Sequence, residues 1–398
     1  MNGKEINNNQ IGSVLVVGAG IGGMQAALDL AESKYKVYMV QKESSIGGTM
    51  AMLDKTFPTG DCAMCMLSPK LVEVGRHPDI EIHTMANVIS IDGEPGNFTV
   101  KVKQSPRYVN PDKCTGCGIC EEKCPKKVTS EYEQGLTVRK AVFSLFPQAF
   151  PNTRVIDTDN CIFFQKGKCR ACEKFCPSDA IAFEDTEKEI EFKVGAIILS
   201  PGLDRYNAQI RGELGFGRWP NVVTSLQFER VLSASGPYSG EVQRPSDNRH
   251  PEKVAWIQCV GSRDRNTANP WCSSVCCMYA TKQAVIAKEH DDNIEPTIFY
   301  MEMRAFGKDF DKYVERAIYE YGVRDQRGMG SAIHEEADTG NLIMRYPDTD
   351  VTLKDEVFDM VVLSVGLEPH KNALEFAKTF NIEPNEHLFA QTTQFNPV

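Results

Sequence analysis

Cys114, Cys117, Cys120 and Cys124, closed by Pro125, follow the spacing C-x2-C-x2-C-x3-C-P, and Cys161, Cys169, Cys172 and Cys176, closed by Pro177, repeat it with a longer start. Seven residues separate Cys161 from Cys169, but the CRACEKFCP end is intact. Thiolates at this spacing ligate [4Fe-4S] cubes, three from one run gripping a cube while the fourth reaches over to the other cube. The pattern therefore pairs Cys114, Cys117 and Cys120 with Cys176, and Cys161, Cys169 and Cys172 with Cys124. Zinc sites or scattered buried thiols do not call for two Cys-Pro-closed runs in one short segment. Two neighbouring cubes serve the passage of single electrons.

The other cysteines carry weaker signals. Cys259, Cys272, Cys276 and Cys277 are four thiols, the number one more [4Fe-4S] cube needs, but the spacing ends in an adjacent pair. Adjacent ligands are possible at a helix start, where backbone N–H groups also reach cluster sulfur; buried or redox-labile thiols are the competing reading. Cys62 and Cys65 form a CxxC bounded by turn residues in FPTGDCAMCMLSP. A redox dithiol beside a cofactor, a pair of cluster ligands and two packed thiols are all open there.

A second kind of chemistry begins at the amino terminus. The apolar run Val14 to Val17 leads into Gly18-Ala19-Gly20-Ile21-Gly22-Gly23 and then MQAALDLAESK, which reads as strand, glycine turn and helix. Gly18 permits the tight turn, Gly20 lets a pyrophosphate approach, Gly23 lets helix and strand pack closely, and the helix N-terminus attracts the anion. A second apolar strand, Val37 to Val40, ends at Gln41, where a carboxylate for ribose hydroxyls is expected and an amide can substitute. The Gly47-Gly48 pair just beyond is more typical of FAD proteins than of NAD dehydrogenases. The candidate FAD set is Gly18, Gly20, Gly22, Gly23, Gln41, Lys42, Gly47, Gly48 and Thr49.

These sites need scaffolds, and the hydropathy pattern supplies them. With 398 residues, 41% hydrophobic and 25% charged, the chain has room for two or three globular domains. The strand and hairpin pattern of residues 80–104 stops at the cysteine runs and resumes at Ile190 to Leu199. The cysteine segment, 106–184, is therefore expected to be a separable insert in a domain made of 1–105 and 185–205. A second unit, 206–369, opens with the strand KVAWIQCVGSRD at 253–264 but lacks the GxGxxG that a nicotinamide nucleotide would use; only Gly261 remains, and cysteines follow. Residues 370–398 return to the first domain. The expected fold is α/β, a thioredoxin-reductase-like pair of Rossmann-type domains with an inserted two-cluster ferredoxin domain. A net charge of −10 argues against nucleic acid or an anionic membrane face as partner. The first ten residues carry no signal-peptide core, and no run of 18 apolar residues occurs, so a cytoplasmic chain without membrane insertion is expected.

The chain resembles the A-type subunits of heterodisulfide reductase. The residues that carry this are GAGIGGMQAALDLA (18–31), SIGGTMAMLDKTFPTGDCAMCMLSPKLVEVGRHPDIE (45–81), both cysteine runs, CVGSRD (259–264), CSSVCCMYATKQA (272–284) and RAFGKDF (304–310). The resemblance implies FAD in the first domain, two [4Fe-4S] clusters in the insert, and a further cluster on Cys259, Cys272, Cys276 and Cys277. It also places Lys282 near the flavin, with Glu229 as a carboxylate able to pair with it; otherwise both are solvated helical charges. Arg304 and Lys308 are read as structural or surface charges.

An iron-sulfur flavoprotein oxidoreductase of this family passes electrons between a partner hydrogenase or dehydrogenase, ferredoxin, and B- and C-type subunits that reduce a disulfide. Splitting or merging of electrons at FAD is the expected chemistry. The A-type component of a quinone-interacting membrane-bound oxidoreductase is similar, and an iron-sulfur scaffold with a dead flavin site is the non-catalytic alternative. The chain stops at TTQFNPV, where relatives of this kind continue into a strand and helix that finish the FAD site. Either a fragment or completion by another chain is implied, with weaker FAD retention.

Overall fold

Leu15 and Val16 are fully buried at the centre of β1 (Ser13–Val17), because parallel strands covered on both faces admit only apolar side chains there. The computed structural model describes residues 11–265, 269–348, 350 and 352–393; the amino-terminal ten residues and most of the TTQFNPV end lie outside them. β1 is followed by α1 (Ile21–Glu32), β2 (Lys36–Gln41), α2 (Ala63–Arg76) and β3 (Ile80–Thr84). An antiparallel hairpin follows, β4 (Ala86–Glu94) and β5 (Asn97–Gln104).

The insert holds α3 (Ile119–Glu122), the hairpin of β6 (Lys127–Thr129) with β7 (Val138–Lys140), and the hairpin of β8 (Val142–Phe143) with β9 (Val155–Ile156). It closes with α4 (Ile162–Lys166) and α5 (Ala171–Lys174). The apolar run 190–199 is two strands, broken at Gly195. β10 (Lys188–Val194) joins the hairpin to make an antiparallel sheet, and β11 (Ala196–Leu199) joins β1. The parallel sheet runs β11-β1-β2-β3, with Val14 beside Ala196 and Val37, and Val37 beside Ile80. Helices α1 and α2 pack on one face around Met24, Leu67 and Leu71; the antiparallel layer covers the other through Val100, Val102 and Phe192.

The insert is not separable at its middle. Between the two cysteine runs, Tyr132, Phe146 and Ala149 enter the core of the first domain, and Tyr132 donates to Ala51 O at 2.7 Å. Arg107, buried, donates to Ser44 O and Thr84 Oγ1. Arg230 of the second unit, 1% exposed, grips Glu133 through two nitrogens at 2.9 and 3.1 Å. These anchors come from residues without pattern of their own, so the cysteine spacing does not announce them.

The second unit repeats the first one's recipe. After β12 (Asp204–Arg205) come β13 (Val222–Thr224), α6 (Ser225–Leu232), β14 (Lys253–Val260), α7 (Cys276–His290), β15 (Glu295–Tyr300), α8 (Phe310–Tyr319) and β16 (Arg324–Arg327). The three strands β17 (Ala332–Glu335), β18 (Leu342–Pro347) and β19 (Leu353–Phe358) form an antiparallel layer. β20 (Met360–Val365), β21 (Leu367–Glu368) and α9 (Ala373–Phe380) end the described elements. The parallel sheet runs β13-β20-β14-β15-β16, with Trp256 at 0% exposure between helices and sheet. β12 pairs with β21 as the chain leaves and re-enters this unit, and α9 then packs against β4. No helix among the described residues is long and apolar enough to cross a membrane.

Candidate functional site

The glycine turn after β1 is fixed by contacts no side chain could share. A Cβ on Gly23 would lie 1.9 Å from Gly18 O, and one on Gly18, whose φ is +98°, would lie 2.1 Å from Ser200 O. Gly20 differs, for nothing stands within 4 Å of its would-be Cβ. It is the N-cap of α1 and offers that helix no side-chain bond, so the first N–H groups of α1 face an open cradle. The Gly47-Gly48 segment forms its side: Gly47 N–H donates to Ala19 O at 2.8 Å, and a Cβ on Gly48 would meet Gly20 Cα at 2.9 Å. Lys42 and Thr49 are exposed at its edge. Gln41 has a role its position did not suggest: its Oε1 accepts Ala19 N–H at 2.7 Å and braces the turn from within. An open, donor-rich cradle without side chains fits the diphosphate of FAD.

The cysteine runs meet in one small core with Val109, Val142, Ile156 and Phe183. Cys124, Cys161, Cys169 and Cys172 line a single cavity, and these are the four that the spacing assigns to one cube. Burial pushes the Cys172 thiol up to about 12, with the neighbouring Cys161, Cys120 and Cys124 adding to it. Cys120, pushed to about 11 by burial, feels Cys114 and Cys176. Burial also acts on Cys176, but backbone donors outweigh it and leave that thiol lowered; Ala180 N–H lies 3.3 Å from its sulfur. The last cysteine of each run thus faces the other run. Cys117 lies exposed.

Cys259, next to last in β14, has φ +58°, and Cys276 and Cys277 open α7, so a strand end and a helix start converge. Burial pushes Cys276 up to about 12 and Cys259 to about 11, and each is further raised by Cys272 and Cys277. The Arg263 charge lowers the Cys259 thiol against that burial, and Cys272 lies near Arg304; both guanidinium groups lean on Glu302, at 3.2 and 3.0 Å. Nη1 of Arg263 is buried with no acceptor, which suits a site where inorganic sulfide would accept it. Among the described residues no three ligating side chains close on a single metal ion. A cube spreads four irons over its corners, so its thiolates stand farther apart than the ligands of one ion. Arg304, expected to be a structural or surface charge, stands at this site, as does Arg263, which lies between Cys259 and Cys272 in the sequence without being singled out there.

Lys282 and Glu229 are not solvated charges. Their side chains are 4% and 3% exposed, and Lys282 Nζ stands 2.7 Å from Glu229 Oε1. The pair spans the two units: Lys282 donates to Lys55 O at 2.7 Å, and Asp54 N–H donates to Glu229 Oε2 at 3.0 Å. Gln283 Nε2 adds a third bond to Glu229, at 2.7 Å, and Gln283 Oε1 is held by the Trp256 indole. A buried ion pair persists only when its remaining donors and acceptors are satisfied in this way. The segment it holds, Asp54 and Lys55, leads from the Gly47-Gly48 side of the cradle to Cys62 and Cys65, which are joined as a disulfide.

A family model, pyridine nucleotide-disulphide oxidoreductase, matches residues 12–227. The chain belongs to this family. Its members are FAD-binding oxidoreductases. Within the family, the chain is homologous to the A-type subunits of heterodisulfide reductase. It is 49% identical over 362 residues to the second of the iron-sulfur A-type subunits of CoB–CoM heterodisulfide reductase in Methanopyrus kandleri, covering 90% of this chain and 54% of that one. It is 45% identical over 378 residues to the A-type component of the H(2):CoB-CoM heterodisulfide,ferredoxin reductase of Methanothermobacter thermautotrophicus, covering 94% and 56%. The chain thus spans about half the length of the curated relatives it matches. Thioredoxin reductase of Lactococcus lactis shares the fold, with a TM-score of 0.50 at 13% identity, covering 96% of this chain and 85% of that one.

Proposed function

We propose that the chain is the FAD and iron-sulfur electron-transfer component of a heterodisulfide-reductase-like complex. The observation that carries this is the second unit, where four thiols occupy the strand end, loop and helix start at which a nicotinamide nucleotide would settle. Hydride from such a nucleotide has no cradle there, so electrons enter from a partner protein. FAD would exchange electrons in pairs or singly, and each [4Fe-4S] cube singly. The chain's own residues supply the rest. Gly18 to Gly23 with Gly47 and Gly48 hold the dinucleotide. The buried Lys282–Glu229 pair fixes the Asp54–Lys55 segment against α6 and α7.

Cys114, Cys117, Cys120 and Cys176 hold one cube, Cys161, Cys169, Cys172 and Cys124 a second, and Cys259, Cys272, Cys276 and Cys277 a third. The domain limits follow: an FAD domain at 1–105 and 185–205, the insert at 106–184, the cysteine-bearing second unit at 206–369, and a return at 370–398. The partners are B- and C-type subunits, an electron-input hydrogenase or dehydrogenase, and ferredoxin. A flavin held by Gly18 to Gly23 with Gly47 and Gly48 would allow pairs of electrons to be divided between ferredoxin and the disulfide-reducing partner, or merged in the reverse direction. The test is electron accounting in the assembled complex. Ferredoxin reduction that stops when the disulfide substrate is withheld supports division of pairs; ferredoxin reduction that continues unchanged without it contradicts division.

A further inference from the structure

Two glutamines are buried in the core of the second unit, and only one of them has its bonds. Gln283 of α7 is saturated: its Nε2 donates to Ser225 O at 2.9 Å and to Glu229 Oε1 at 2.7 Å, and its Oε1 accepts the Trp256 indole N–H at 3.2 Å. Gln258 of β14 and Ser364 of β20 are both 0% exposed. Neither Nε2 nor Oε1 of Gln258 has a hydrogen-bond partner among the described residues, and Ser364 Oγ has none either. An amide and a hydroxyl stripped of water and left unbonded bear the whole cost of desolvation, so they mark a place where a further partner settles.

The strands bring both groups to the third set of cysteines. Val254 and Trp256 of β14 and Met360 and Val362 of β20 lie in the core shared with α6 and α7, and alternation along each strand puts Gln258 and Ser364 on that same face. Ile257 pairs with Leu363 and Val260 with Val365, so Gln258 and Cys259 together stand opposite Ser364. Gln258 adjoins Cys259 in the chain. Ser364 adjoins Val365, whose carbonyl accepts the Cys276 thiol at 3.7 Å and the Tyr279 hydroxyl at 2.8 Å. Ser364 and Cys276 both lie near that hydroxyl.

We propose that Gln258 is a hydrogen-bond donor to the cube held by Cys259, Cys272, Cys276 and Cys277, and that Ser364 is the positioning residue that orients its amide. The proposal rests on the reading of those four cysteines as ligands. Gln258 Nε2 would donate to cube sulfur and the Ser364 hydroxyl to Gln258 Oε1. Each unbonded atom then has a partner of the right kind, because cube sulfur only accepts and the amide oxygen needs a donor from the protein. One electron added to the cube increases the negative charge on its sulfurs. A donated bond strengthens with that charge, so the reduced form is stabilised more than the oxidised one. The third cube therefore takes its electron at a higher potential than it would beside an apolar wall.

The test is a redox titration of the cofactor-loaded chain, purified anaerobically and followed by electron paramagnetic resonance, with the third cube's signal assigned by its loss in Cys276→Ser. Gln258→Met keeps an unbranched side chain of similar size and removes the donor. It should retain about twelve irons per chain. The midpoint of the third cube should fall by about 59 mV, a tenfold shift of a one-electron equilibrium, while the signals of the insert's cubes stay in place. Ser364→Ala should lower the same midpoint by less. A direct readout needs no substitution: with glutamine labelled isotopically at the side-chain nitrogen, the reduced third cube should show a nitrogen coupling in electron–nuclear double resonance, and Gln258→Met should remove it. Full iron with an unchanged midpoint in Gln258→Met overturns the proposal, as does the absence of that coupling in the unsubstituted chain. If Gln258→Met loses iron, the coupling in the unsubstituted chain decides. Failure of the underlying reading shows instead as about eight irons in the unsubstituted chain, and the proposal falls with it.

Discussion

In the first unit β1 runs into Gly18–Gly23 and α1; in the second, β14 runs into Cys259, Gly261 and a longer loop before α7. Both follow the same path from a buried parallel strand to a helix N-terminus. The first loop excludes side chains so that a ligand's diphosphate can touch backbone, as Gly18, Gly20 and Gly23 demonstrate. The second fills the same place with side chains, three of them buried thiols. A strand–loop–helix unit therefore supplies a position and a helix N-terminus, and the residues in the loop decide what settles there. The two units are joined by Lys282 and Glu229, which reach from α7 and α6 to Lys55 and Asp54.

The contrast between the loops is most exposed to failure at the cysteines. Cys276→Ser should lower iron content by about four per chain while flavin content stays at the unsubstituted level; equal loss of iron from the insert would show that the loops are not independent. The link between the units comes next. Lys282→Ala leaves the Glu229 carboxylate buried without its cation, and a cost of about 3–5 kcal/mol in urea denaturation is expected.

At the glycine loop, Gly20→Ala separates binding from folding. Its Cβ meets nothing in the free protein, so stability should change by no more than about 1 kcal/mol. Flavin affinity, read by fluorescence titration, should still fall by about tenfold, because the methyl group enters the cradle. Gly23→Ala, with a Cβ 1.9 Å from Gly18 O, should instead fail to fold this turn.

The smallest effect concerns Asp54. Burial first, and then the Glu229 charge, hold its carboxyl above the usual carboxylate value of 3.8. The folded state thus keeps this proton more tightly than the unfolded state. The stabilisation from this group is present below 3.8 and is lost as pH rises through the folded value. Asp54→Asn should remove that loss, raising stability at neutral pH and leaving it unchanged in acid, as read from denaturation across pH.

Much of this was legible in the sequence, for local reasons. Cubes need thiols at fixed short spacings and diphosphates need glycines at a strand end, so Cys114–Cys124 and Gly18–Gly23 declare themselves within a dozen residues. The doubly built α/β fold follows from β1, β14 and β20 as short apolar runs that end in turns. What stayed hidden depends on contacts between distant segments. Gln41 bracing Ala19, Lys282 holding Lys55 and Arg304 reaching Cys272 each join parts of the chain with no shared pattern. Tyr132 and Phe146 lie between cysteine runs, and nothing local tells that they fill the core of another domain. The Cys62–Cys65 bond belongs to the same class, because a CxxC alone leaves its chemical state open.

The proposed electron path turns on the second unit holding a cube at the place where its counterpart in the first unit would hold a nucleotide. Iron, acid-labile sulfide and flavin per chain, measured after anaerobic purification with full cofactor loading, decide this. Three cubes and one nucleotide predict about twelve irons, about twelve sulfides and one flavin. About eight irons with one flavin would leave only the insert loaded and would contradict a cube in the second loop.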